Sequence, residues 1–142
     1  MERTLAEAIA SRVLARRDCI ADAANYTADS PMRATRLEWV RRHKEEGDAL
    51  ARECLPSGSG FDNGSAIDWE RSNADRLVFT TAFHHMDDAG FYDGWTEHSV
   101  TVRASLALGL VVTVSGRDRN GVRDYIAESF ALALRKTVPA GR

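Results

Sequence analysis

Residues 77–98, LVFTTAFHHMDDAGFYDGWTEH, hold three of the four histidines, four acids and a Phe-Tyr-Trp cluster. Imidazoles and carboxylates are the groups that exchange protons near neutrality and that ligate Zn²⁺ or Fe²⁺. The alternation of the stretch reads as one β-hairpin, with Leu77, Phe79 and Phe83 on one face of its first strand. Matching that face to Val100 and Val102 brings His85 and His98 onto it as near-opposite neighbours, and Asp87 shares their parity. Two histidines and a carboxylate so placed would make a metal site of His85, Asp87 and His98, although no standard spacing such as HExxH is present. The plainer account pairs the two histidines with each other or with nearby acids. His84 falls on the opposite face beside Glu97, an arrangement that could orient an imidazole for acid–base work. No Ser or Cys nucleophile is evidently delivered to it, since Cys19 and Cys54 lie on distant helical segments.

The turn between the strands carries a different chemistry. Phe91, Tyr92 and Trp95 stand among Asp87, Asp88 and Asp93. Tyr and Trp supply large, stiff contact area and dominate interface hot spots. Asp88, Phe91, Tyr92, Asp93 and Trp95 are therefore the expected partner-binding residues. The alternative is a small aromatic cluster folded back over the sheet edge.

Other candidates have plainer accounts. The loop Ser57-Gly58-Ser59-Gly60 lacks the Lys-Ser/Thr that a phosphate-cradling P-loop needs, so it reads as a connector. Arg117 and Arg119 precede a helix whose N-terminus could take an anion, but Asp118 or Asn120 as a cap explains the segment as well. His43, on an apolar helical row, reads as a hydrogen-bonded core histidine. Arg33, Arg36, Arg41, Arg42 and Lys44 are interrupted by Glu38, Glu45 and Glu46, which is the pattern of a solvated helix face.

Spacing also predicts the secondary structure that carries these residues. A first helix is expected over residues 3–24, with Leu5, Ile9, Val13 and Ile20 on one stripe. Ser30-Pro31 signals the start of a second helix running to about Cys54, with Ser as cap and Pro at the first helical position. Its row is Leu37, Val40, His43, Gly47, Leu50 and Cys54, and Gly47 is expected to let the first helix approach closely. Strands are expected over 76–86, 95–104 and 106–115, followed by a helix over 121–136 with an apolar stripe from Val122 to Leu134. Residues 68–75, DWERSNAD, are ambiguous. The expected fold is α+β: two N-terminal helices, a three-stranded antiparallel β-meander, and a C-terminal helix packed on the sheet. Residues 1–142 read as a single domain with a helical part (1–54), a connector (55–75) and a βββα part (76–136).

Composition sets the outer limits. At 142 residues and 44% hydrophobic content, one core suffices. Residues 1–54 carry ten basic and ten acidic side chains, and the whole chain has a formal net charge of −2. The basic surface of a dedicated nucleic-acid binder is missing, so nucleic acid is not an expected partner. Two cysteines read as free thiols of a reducing compartment. No apolar run approaches a membrane span and the first residues do not form a signal peptide, so a cytoplasmic protein without a membrane partner is expected.

Three motifs, LPSGSGFD (55–62), FHHMDDAGFYDGWTEHSV (83–100) and SGRDRNGVRDYIAESF (115–130), resemble a family of small proteins carried by bacteriophages, prophages and plasmids. The resemblance covers roughly residues 54–136. It implies a mobile-element accessory protein and brings no catalytic residues with it. Such a protein is expected to be a non-catalytic binder without a cofactor that blocks a host protein complex, as inhibitors of CRISPR or restriction enzymes do. The competing readings are a small metal-dependent enzyme built on His85, His98 and Asp87, and a nucleic-acid-associated protein using Arg117, Arg119 and Arg123. A homodimer is compatible with all three, because a three-stranded sheet leaves two edges open.

Overall fold

The computed structural model describes residues 3–53, 66–73, 75–86, 88–105, 109–116 and 132–138. It is an α+β arrangement of an antiparallel helical pair and antiparallel sheet. Strand β1 (Arg3–Thr4) leads directly into helix α1 (Leu5–Ala23), where the Thr4 hydroxyl accepts a hydrogen bond from the Glu7 N–H. Helix α2 (Pro31–Arg52) starts as its sequence dictates: the Ser30 hydroxyl accepts from the Met32 N–H and proline occupies the first turn.

Three contacts at successive levels fix the two helices as an antiparallel pair. Arg12 meets Glu46 at 3.1 Å, Arg36 is hydrogen-bonded to Asp22, and Arg33 Nη1 donates to the Tyr26 carbonyl at 3.1 Å. Only the base of this pair joins the main core cluster, although Ala23 at the far end of α1 is buried too. Leu5, Ala6, Ala8, Ile9 and Val13 of α1 are buried, and so are Gly47, Leu50 and Ala51 of α2. Ile20 and Leu37, expected on the buried rows, are 42% and 48% exposed. The cause is length: helices of 19 and 22 residues extend about 28–33 Å, so their far turns outrun the sheet that would bury them. On α2, His43 Nδ1 is buried without a hydrogen-bond partner, so the expectation of a hydrogen-bonded core histidine does not hold. On the solvent side of α2, Arg41 bonds both Glu38 and Glu45, which holds the Glu38 carboxyl below the usual carboxylate range.

The expected three-stranded meander is corrected by the sheet itself. Strands β2 (Ala66–Ile67), β3 (Arg76–Met86), β4 (Tyr92–Ser105) and β5 (Gly109–Gly116) form a four-stranded antiparallel sheet in that order. A separate two-stranded ribbon joins β1 to β6 (Thr137–Val138). The extra edge strand comes from the segment read as connector. Burial of Ile67, which packs in the core, offsets the cost of ordering it. The ribbon likewise converts the expected first turn of α1 into extended chain, and Val138 is buried where it does so. Of the expected C-terminal helix, residues 132–134 are helical, and Ala133 and Leu134 are buried in the core; residues 117–131 lie outside the described residues.

The core sits between the helical base and one face of the sheet. Leu77 and Phe79 of β3 lie opposite Val102 and Val100 of β4, and all four join Leu5, Ile9, Leu50, Ile67, Leu134 and Val138 in one cluster. Val78, on the other face of β3, is buried as well. The ambiguous residues 68–73 run beside it: Asp68 N–H donates to the Val78 carbonyl, and Ser72 Oγ accepts from the Val78 N–H at 2.8 Å. Trp69 fills the space over Gly47. A Cβ at Gly47 would stand 2.6 Å from Trp69 Cη2, so the glycine admits this indole, not the first helix as expected. The indole is held by a 3.0 Å hydrogen bond from its Nε1 to Asp48 and lies 5.2 Å from the Arg16 guanidinium carbon.

Candidate functional site

The far end of the β3–β4 hairpin is the candidate site. Regular pairing runs from Arg76 opposite Arg103 to His84 opposite Trp95, then shifts at a bulge before Met86 meets Tyr92. A bulge inserts an extra residue, bends the strand and re-aims the side chains beyond it. The turn past the bulge holds Asp88, Ala89 and Gly90, all exposed. Gly90 has φ +85°, in the left-handed region that favours glycine, and nothing lies within 4 Å of where its Cβ would be. Conformation, not space, accounts for that glycine.

Phe91 and Tyr92 emerge next, 71% and 59% exposed. They are the two most exposed aromatic side chains among the described residues. Tyr92, Asp93 and Trp95 stand within β4, which begins three residues earlier than the spacing suggested. Pairing with the end of β3 draws this part of the expected turn into the ladder. The backbone register locates Asp93, Trp95, Glu97 and His98, as it does His84 and His85; their side chains lie outside the described part of the structure.

That register overturns the expected approach of the two histidines. His98 lies opposite Thr81, four positions from His85 along β3, or about 13 Å of strand. Alternation assigns residues to faces but not to a register, because any even shift keeps Phe79 and Val100 on the same face. Asp87, the third residue of the expected metal site, lies outside the described residues. Among the described residues no group of three His, Cys, Asp or Glu side chains could hold a metal ion. Glu97 lies opposite Ala82 and His84 opposite Trp95, which makes His84 and Glu97 diagonal neighbours on one face.

The remaining sequence candidates separate by position. Arg117 and Arg119, read as an anion site, lie outside the described residues, as do the loop 57–60 and Cys54. Cys19 is a free, half-buried thiol on α1. The sequence reading missed a second exposed apolar set on the helical pair: Met32, Leu37 and Trp39 of α2, with Arg36 stacked 4.4 Å over the Trp39 ring. Met32 and Trp39 were concealed by their polar and charged neighbours, whereas Leu37 was expected on the buried row. No described helix is long and apolar enough to cross a membrane.

Compared with known proteins, the chain matches no family model, no curated protein and no solved structure.

Proposed function

We propose that this chain is a non-catalytic protein-binding module of a mobile genetic element, and that it docks on a host protein complex through the tip of its β3–β4 hairpin. The observation that carries the reading is the joint exposure of Phe91 and Tyr92 beside Asp88 on a turn held by Gly90. Burying two such rings against a partner supplies several hundred Å² of contact and the residue types that anchor interfaces. The acidic neighbours Asp88 and Asp93 favour a partner with basic groups around an apolar pocket. The motif resemblance to phage, prophage and plasmid accessory proteins supplies the setting, in which the binder inhibits a host defence complex of CRISPR or restriction type. The balanced charge of the chain supports a protein target over nucleic acid.

Affinity capture from bacterial lysate, comparing the wild-type chain with Tyr92→Ala/Trp95→Ala, tests the reading. Recovery of one host complex by the wild type alone supports it and names the target. Equal recovery by the double variant removes the tip as the docking surface, and an empty wild-type capture removes the host complex.

A further inference from the structure

The two edges of the four-stranded sheet are built differently. Along β3 the outer edge is occupied at its base: β2 pairs with Phe79 and Thr80, Asp68 and Ser72 bond the backbone of Val78, and Asn73 bonds that of Arg76. Among the described residues, β5 shows neither shortness, nor charge, nor proline, nor a bulge along its edge. The strand has eight residues, and its pairing with β4 runs from His98–Gly116 to Ser105–Gly109 without a register shift. Residues 104–116, ASLALGLVVTVSG, contain no charge and no proline. Among the described residues nothing pairs with the outer edge of β5. Native edge strands are ordinarily kept single by shortness, lysines, proline or bulges, and an edge lacking all four is a template for another strand.

We infer that β5 pairs antiparallel with β5 of a second copy of this chain, making one continuous sheet with four strands from each copy. A twofold axis through such a junction sets the same segment against itself. An uncharged segment meets its copy without the like-charge repulsion that sets a charged edge strand against itself. The layers fit as well. Leu110, Val112 and Val114 lie opposite Ala104, Val102 and Val100, and the last two are core residues. Pairing Val112 with its own copy keeps this row on one face across the junction, so the cores of both copies lie on the same side. Val111 and Thr113, exposed on the open face, then stand opposite one another across the axis.

That last geometry gives the test. The wild-type chain is expected to sediment with the mass of two chains at micromolar concentration and to dissociate on dilution. Val111→Lys/Thr113→Lys sets lysine opposite lysine and is expected to sediment as one chain with an unchanged circular dichroism spectrum. Mixing it with Val111→Glu/Thr113→Glu is expected to restore the two-chain species. Hydrogen exchange on the wild type gives an independent readout should either variant fail to fold: amides of residues 110–115 are expected to exchange more slowly as protein concentration rises. A wild type that remains a single chain, a lysine variant that remains a dimer, or concentration-independent exchange along β5 would each overturn the inference. So would capture of a foreign strand at β5 by a monomeric wild type.

Discussion

The base and the tip of the β3–β4 hairpin belong to the same two strands but meet opposite demands. At the base, Leu77, Phe79, Val100 and Val102 pair in regular register and are buried under the helices. At the tip, beyond the bulge, Phe91 and Tyr92 are exposed directly after a turn that needs a left-handed glycine. The base commits its apolar residues to the core of the chain itself. The tip holds comparable residues where the fold gains little from them. This contrast is the reason for assigning stability to one end of the hairpin and recognition to the other.

The contrast breaks most visibly at Phe79, whose side chain is fully buried at the base. Phe79→Ala is expected to destabilise the chain by about 3–5 kcal/mol in urea unfolding. A loss below about 1 kcal/mol would mean that the base does not anchor the core. Gly47 sharpens the contrast from the helical side. In Gly47→Ala the new methyl meets a Trp69 ring held by Asp48, and the ordinary helix gain of about 1 kcal/mol is opposed by overpacking of about 1–3 kcal/mol. Net destabilisation, with a change in Trp fluorescence, is the expected result. Phe91→Ala/Tyr92→Ala, by comparison, is expected to shift stability by only about 0.5 kcal/mol, as exposed positions do.

The smallest effect concerns pH and the solvated face of α2. Arg41 hydrogen-bonds Glu38 and lowers its pKa, so the pair contributes above the unfolded carboxylate range and is lost as pH falls through the lowered value. Glu38→Gln is expected to remove that acid dependence while leaving stability near neutrality almost unchanged. Both groups are exposed, and screening keeps such pairs weak.

How much of this was legible in the sequence differs along the chain. Ser30-Pro31 announced the start of α2 because capping is a local interaction, complete within three residues. Alternation located the buried faces because Leu77 and Phe79 share parity on β3, as Val100 and Val102 do on β4. Register was not legible, since parity is blind to even shifts, and the expected meeting of His85 and His98 failed for that reason. Strand β2 was hidden because two residues carry no period; only Ile67 and Trp69, apolar residues in a polar stretch, hinted at a docked segment. At the tip, residue types pointed to Phe91 and Tyr92, but no local pattern marked the bulge beyond which they stand.

The most direct measurement is the affinity of the captured host complex for three forms of the chain: wild type, Phe91→Ala/Tyr92→Ala at the tip, and Leu37→Ala/Trp39→Ala on the exposed face of α2. Loss of two interface anchors of about 2 kcal/mol or more predicts a rise in Kd of at least about 30-fold for the tip variant. The α2 variant is expected to bind as the wild type does. Unchanged affinity in the tip variant, with binding lost in the α2 variant, would contradict the assignment and move recognition from the hairpin to the helices.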